Sequence, residues 1–514
     1  MTIAAVDRLF APWARADSPG AVVAVTRNGA VIHEAAYGMA DLAHGIPLDR
    51  RSIIRIGSQS KQFTVLLALL LEAEGKFSMS DDVRRYAPWL PVYPHHVTLH
   101  HLATNTGGLR DVLEIMVWNG LPLASSSDRA LLRGLLARHA EVNFVPGSRM
   151  LYSNSGFFLL SEVIEEVSGR SFNELLATYI TGRLGMTDTR LLARDAEILP
   201  RLVAQHMRGA GGAWETVRWG FPLGGEGGMV STLVDMLTWQ AALANPPADW
   251  APLLARMAAP LHYTNGTETL YRMGLVVDHY RGARGIGHGG GVAGGRSESI
   301  RFPDHGLGVV MLGNLAEMNP FALSRRIADA VLGEALAAPL GGDGAARMVG
   351  ATGLYRQDGG DEIFEISAVD GAPVFTSSGG ATSMTEIAPG RLAPERPTMH
   401  LELTPAEDGF DAVFCGERQR YRRVPGAAPA RDISGTYANA TLGLDARIDG
   451  STLLIRTDIG ALRADLSWID DDLLLVRPRS PAGGRAWLGS LRVTGHDLVL
   501  TSDRTKHLVL RAHH

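Results

Sequence analysis

The sequence predicts an α+β domain, an antiparallel sheet sandwiched with helices, followed by two all-β antiparallel domains. Three observations carry that prediction. Strand patterns stand at both ends of residues 1–336 with helical patterns between them, a Gly- and Pro-containing linker follows Ala337, and beyond it short β-prone runs alternate with turns. A chain of 514 residues is also too long for a single hydrophobic core.

The first segment reads as a hairpin, Ala21 to Thr26 and Ala30 to Ala36 joined by Asn28-Gly29, the dipeptide a two-residue turn prefers. A helix is expected to begin near Gly57-Ser58, run through the apolar stretch Val65 to Leu71 and end before Gly75. Strand character returns at Ser299 to Phe302 and Gly308 to Leu312, and a helix near Phe321 to Leu336 closes the domain. The linker is Ala338-Pro339-Leu340-Gly341-Gly342-Asp343-Gly344. Two β units follow over 350–424 and 432–514, opening on Gly353-Leu354-Tyr355 and Gly435-Thr436-Tyr437, and read as two similar barrels or sandwiches. Duplication and chance likeness of two short β domains both account for that similarity.

Bulk composition narrows the function. With 46% hydrophobic and 20% charged residues and a net charge of −5, the chain has no basic block suited to nucleic acid. No apolar run is long enough to cross a bilayer, and the first residues lack the basic-then-apolar layout of a secretory signal. A single cysteine, Cys415, excludes an internal disulfide framework, so a cytoplasmic location is expected. Only three of the 49 basic residues are lysines, Lys61, Lys76 and Lys506. Arginine holds its proton in proteins whereas a buried lysine can release it, so a proton-accepting task would preserve Lys61 against this bias.

Ser58-Gln59-Ser60-Lys61 places a hydroxyl and an amine one helical turn apart at a helix start, where free N–H groups favour developing negative charge. Alone, a four-residue pattern with two fixed positions is weak. Tyr152-Ser153-Asn154 follows a strand-and-turn context and presents a phenol and an amide together; Tyr152 is a candidate base, and a tyrosine packed in a loop is the competing reading. Gly287-His288-Gly289-Gly290-Gly291 suggests close backbone approach by a ligand, with His288 as a directional hydrogen-bonding group, against a plain flexible turn. The Gly-rich stretches Asn105 to Leu109 and Gly224 to Ser231 lack the strand–turn–helix spacing of a phosphate loop. His95-His96 and His100-His101 have no completing ligand set nearby, so no metal and no cofactor are expected.

Ser-x-x-Lys, Tyr-x-Asn and a His-Gly-Gly in place of Lys-Thr-Gly, in that order, resemble the serine β-lactamase and penicillin-binding-protein superfamily, and within it the bacterial D-aminopeptidases. The likeness extends to Ser60-Lys61-Gln62-Phe63-Thr64, Gly108-Leu109-Arg110-Asp111, Pro146-Gly147-Ser148 and a two-barrel tail. The resemblance implies a β-lactamase-like catalytic domain and an acyl-enzyme on Ser58. Lys61 and Tyr152 would share the proton transfers, Asn154 would hold the substrate amide, and the N–H groups of Ser58 and Gly291, beside Gly290, would form the oxyanion hole. His288 stands where carboxypeptidases of this superfamily place lysine, and Gly289 lacks the hydroxyl that follows it, which weakens carboxylate recognition.

In D-aminopeptidases a loop of the last barrel narrows the site and supplies an acid for the substrate amine. The corresponding stretch, Arg477 to Arg485, has no acid, so Arg477 or Arg479 is a candidate for binding a carboxylate instead, while Asp111, Glu114 or Glu226 would have to face an amine. The expected substrate is a small peptide, amide or ester with an N-terminal D-residue, and the resemblance suggests a homodimer. An esterase or general amidase on the same nucleophile, and a binding protein that kept the scaffold without turnover, are the alternatives.

Overall fold

The computed structural model describes residues 4–513 except 210, 221, 341–342, 378–379, 396–397, 426 and 480–487. Its first domain is built on a six-stranded antiparallel sheet, in spatial order Val276–Tyr280, Ala283–Val292, Gly295–Phe302, Leu307–Gly313, Ala21–Arg27, Ala30–Tyr37. Strands from both ends of the domain thus meet at its centre, with Ala21 opposite Gly313. The hairpin turns at Asn28 and Gly29, both at positive φ (50° and 83°), as a tight turn of the right-handed twist requires.

Alternation along the central strands sorts side chains into two cores. Ala21, Val23, Val25, Val309 and Met311 face the terminal helices Ala4–Phe10 and Pro320–Leu332. Val22, Ala24, Val310 and Leu312 face a larger layer containing the helices Ser60–Ala73, Asn154–Ser168 and Leu233–Ala244. Every residue of the first of these from Ser60 to Leu71 is buried, residues 65–71 as a run apolar on all sides, and Phe63 stacks on Trp239 at 4.2 Å. No helix among the described residues is long and apolar enough to cross a membrane.

One boundary differs from the sequence expectation. The chain enters this helix through a 3₁₀ turn, Gly57–Gln59, and the α-helix proper starts at Ser60. Gly57 has φ +55°, a left-handed conformation, and this places Ser58 on a tight turn ahead of the helix rather than inside it.

The two C-terminal units are closed eight-stranded barrels, running from Gly353–Gln357 to Glu417–Arg423 and from Gly435–Asn439 to Leu508–His513, with first and last strands paired in each. They share a device. The buried tyrosine of each opening Gly-x-Tyr, Tyr355 and Tyr437, donates its hydroxyl to the carbonyl four residues upstream, of Ala351 and Ile433. Their ends are filled differently. The first barrel takes a short helix, Gly344–Gly350, whose Met348 is fully buried in its core. The second takes Trp118, from the helix Val112–Trp118 of the first domain, with its indole N–H donating to Ser502 Oγ at 3.3 Å. Close backbone packing of Gly120 on Gly460 and Ala461 and the ion pair Arg138–Asp458 extend that contact. The first barrel docks through its Cys415 turn, whose carbonyl accepts from Asn265 Nδ2 at 3.0 Å and whose thiol meets the Met150 backbone.

Trp118→Ala would empty a buried aromatic site shared by two domains. Chemical denaturation should show a loss of about 3 kcal/mol or more, and a loss below about 1 kcal/mol would mean that the barrel is held elsewhere.

Candidate active site

From Ser52 to Leu71 every residue is buried except Ser58, which is partly exposed. The turn that presents it is fixed from three sides. Ser60 Oγ donates to the Gly57 carbonyl at 2.6 Å and accepts from Met229 N at 3.1 Å, while Ser297 Oγ donates to the Ile56 carbonyl at 2.7 Å. The third side is the glycine-rich strand Ala283–Val292. A Cβ on Gly290 would lie 1.9 Å from the Ile56 carbonyl oxygen, and a Cβ on Gly57 would lie 2.8 Å from the Gly291 nitrogen. The strand can therefore run directly against the Ser58 turn only because neither position carries a side chain. The close backbone approach inferred from the sequence is one of strand to turn, and it brings the Gly291 amide beside Gly57-Ser58.

Lys61 Nζ donates to Ser58 Oγ at 3.1 Å, to Asn154 Oδ1 at 2.9 Å and to the Glu226 carbonyl. It lies 4.8 Å from the centroid of the Tyr152 ring and 5.1 Å from that of Phe157. Burial pushes its pKa down to about 7; the carboxylates of Glu226 and Asp111 pull upward and the charge of Arg504 pushes further down. An ammonium spends three hydrogens on those three acceptors. The neutral amine keeps two hydrogens and a lone pair, which can take the proton of the Ser58 hydroxyl.

Asn154 is anchored from behind, since its backbone N–H and its Nδ2 both donate to Asp111 Oδ2, at 2.6 and 2.9 Å. Asp111 caps the helix Val112–Trp118, accepting from Leu113 N at 2.9 Å. The Asn154 amide thus holds Lys61 with its oxygen and has one hydrogen left for a ligand.

Tyr152 is 7% exposed and packs edge-on to Tyr271 with centroids 5.8 Å apart. Its ring lies 6.1 Å from His288, so the structure brings Ser58, Lys61, Tyr152, Asn154 and His288 into one cluster. His288 differs from the directional ligand read from the sequence. Its Nδ1–H donates to the Gly289 carbonyl at 2.5 Å and its Nε2 accepts from the Tyr271 hydroxyl at 3.1 Å. Burial and then the charge of Lys61 lower its pKa to about 3, and burial holds Tyr271 as a phenol. The ring is neutral with both nitrogens occupied, so it offers a substrate carboxylate neither charge nor a free N–H. Tyr271, which fixes it, carried no motif in the sequence.

The second barrel meets the cluster, but not through the predicted arginines. Arg477 and Arg479 are exposed at the end of the strand Leu473–Pro478, where Arg479 is paired with Asp465; residues 480–485 of the same stretch lie outside the described residues. A different turn arrives instead, between Asp497–Thr501 and Leu508–His513. From it Arg504 reaches Asp111 Oδ2 at 3.3 Å and lies 5.1 Å from the Tyr152 ring centroid. A cavity at this three-domain junction is lined by Tyr152, Asp361, Glu362, Asp503, Arg504 and Lys506, with aromatic walls from the first barrel. The three carboxylates offered by the sequence for an amine are all buried: Asp111 and Glu114 fully, Glu226 at 1% exposure. Burial, with Asp503 nearby, pushes Glu114 up to about 7. Of the histidine pairs, His96 is bonded to Asp82 and His101 Nδ1 accepts from Thr98 N in a capping box. Among the described residues no cluster suited to a metal ion occurs.

The Beta-lactamase family profile matches residues 6–334, and the chain belongs to that family as one of its serine hydrolases. A D-aminopeptidase of Cereibacter sphaeroides is 31% identical over 316 residues, 61% of this chain and 60% of the relative, so the match spans about three-fifths of that protein. The octameric penicillin-binding protein homologue from Pyrococcus abyssi shares the fold over 99% of this chain and 100% of its own, with TM-score 0.59 and 17% identity. A D-stereospecific amidohydrolase from Streptomyces sp. covers 65% of this chain and 99% of its own at 22% identity and TM-score 0.51.

A lysine with a pKa of about 7 must be neutral to accept the serine proton. The pH profile of kcat/KM should therefore fall as pH drops through about 7, and Lys61→Arg, which cannot release its proton, should be inactive at every pH. An acid limb near 5, or an active arginine variant, would remove Lys61 from the proton transfer.

Proposed function

We propose that the protein is an aminopeptidase that releases N-terminal D-residues from small peptides, amides or esters through an acyl-enzyme on Ser58. The observation that carries the reading is the pairing of the one accessible residue in a buried segment, Ser58, with a fully buried amine 3.1 Å away.

The steps follow from that pairing. Neutral Lys61 takes the Ser58 proton as Oγ attacks the carbonyl carbon, and the Ser58 and Gly291 N–H groups receive the oxyanion. Collapse of the tetrahedral adduct breaks the scissile bond, and the leaving nitrogen or oxygen takes the proton back through Lys61 or Tyr152. Water then attacks the acyl-enzyme, giving its proton to the same pair, and Ser58 is released with its own hydrogen restored. Preference for a D-residue is supported by the likeness to a D-aminopeptidase and to an enzyme described as D-stereospecific. A neutral His288 with no free N–H supports substrates whose reacting end bears no carboxylate, which argues against carboxypeptidase action.

Paired D- and L-alanyl p-nitroanilides test the reading. The D-isomer should be turned over at least about tenfold faster, with Ser58→Ala lowering kcat by about 10⁴-fold or more and abolishing the acyl adduct seen by intact mass spectrometry. Turnover of simple acyl esters with no response to a D-anilide would favour a general esterase. Turnover that survives Ser58→Ala would reject the nucleophile itself.

A further inference from the structure

We infer that Arg504, delivered by the second barrel, is a positioning residue for the Ser58–Lys61 pair, acting through Asp111 and Asn154. The inference rests on Ser58 and Lys61 being the nucleophile and its base. The chain of contacts is short: Arg504 Nη1 to Asp111 Oδ2 at 3.3 Å, Asp111 Oδ2 to both nitrogens of Asn154, Asn154 Oδ1 to Lys61 Nζ, and Lys61 Nζ to Ser58 Oγ.

Two features separate this from an ordinary domain contact. First, Asp111 is fully buried, and a buried carboxylate without a cation is costly. Among the described residues Arg504 is the cation paired with it, so the barrel supplies the charge that offsets the carboxylate holding Asn154. Second, the backbone of the turn is held independently of the guanidinium. Arg504 N donates to the Glu114 carboxylate at 3.1 Å, Asn143 Nδ2 donates to the Arg504 carbonyl at 2.9 Å, Lys506 N donates to Asn143 Oδ1 at 2.9 Å, and Arg110 Nη2 donates to the Lys506 carbonyl at 3.0 Å. The turn is docked by its main chain, and its one inward guanidinium is left to address the site.

The charges around Lys61 fix the sign of the effect. Asp111 and Glu226 favour its protonated form, burial and Arg504 oppose it, and the neighbouring rings of Tyr152 and His288 complete the enclosure, His288 being neutral. Removing Arg504 leaves the Asp111 charge uncompensated and takes away a repelling cation. Both changes make Lys61 hold its proton to higher pH.

The test uses the whole 514-residue chain and the substrate that it turns over best. Arg504→Gln should lower kcat by about tenfold or more with KM changed less than about threefold, and should move the acid limb of the kcat/KM profile upward by roughly half a pH unit or more. Arg504→Lys, which restores the charge, should return that limb toward the wild-type position. Arg138→Gln, which removes a separate ion pair between the same two domains, controls for loosened docking and should leave the profile in place. A wild-type profile in Arg504→Gln, or the same shift in Arg138→Gln, would overturn the inference. Ser58→Ala distinguishes the two levels: if it stays active the nucleophile reading has failed, whereas an inactive Ser58→Ala beside an unshifted Arg504→Gln removes only Arg504.

Discussion

Everything in this site follows from enclosing an amine. Lys61 has no exposure to water, and an ammonium in that position is tolerated only with all three hydrogens directed at acceptors. Those acceptors come from three separate segments: Ser58 on the turn before the helix, Asn154 at the start of another helix, and the Glu226 carbonyl in the Gly224–Ser231 loop. The sheet of distant strands and the all-buried helix Ser60–Ala73 bring these segments to one point. Desolvation then makes release of the lysine proton easy, and the serine is the group placed to use it.

Much of this was legible in the residues. Lysine scarcity marked Lys61, spacing tied it to Ser58, and Tyr152 and Asn154 fell in the expected order behind them. The same scarcity marked Lys506 equally, and it too is nearly enclosed, paired with Glu362 next to the site; Lys76 is simply exposed. The hairpin around Asn28-Gly29 and the two β units were also readable, because turn chemistry and period-two patterning are local. Less visible were partners whose meaning is purely spatial. In the sequence Asp111 belongs to a family-like stretch and is a carboxylate that would have to face an amine, whereas the structure sets it against Asn154; Tyr271 and Arg504 carry no motif at all. Within the stretch Arg477 to Arg485, Arg477 and Arg479 are candidates only by analogy of loop position, and strand pairing sets Arg477 opposite Asp465 on the outer face of the barrel while Arg479 binds that same aspartate. His288 stands in the cluster with both ring nitrogens engaged, and whether a ring nitrogen is free or occupied depends on neighbours that no spacing reveals.

The barrels gain a different significance from their contacts. A β-barrel needs its open ends filled, and the core of the second barrel takes in Trp118 of the hydrolase domain. Trp118 ends the same helix that Asp111 begins, so the element that plugs the barrel also caps the contact to Asn154. The contact to the barrel and the contact to Asn154 thus lie at the two ends of one helix of seven residues. The first barrel uses another route, inserting the lone cysteine Cys415 against Met150, two residues before Tyr152.

The glycines around Ser58 follow from the same enclosure. If every neighbour of the serine is buried, a substrate carbonyl can approach only along a side left open, and a strand with side chains there would stand too far away for its N–H groups to reach a developing oxyanion. The absence of Cβ atoms at Gly290 and Gly57 lets two backbones meet with the Gly291 amide beside the serine turn, and the left-handed φ of Gly57 sets Ser58 on that turn ahead of the helix.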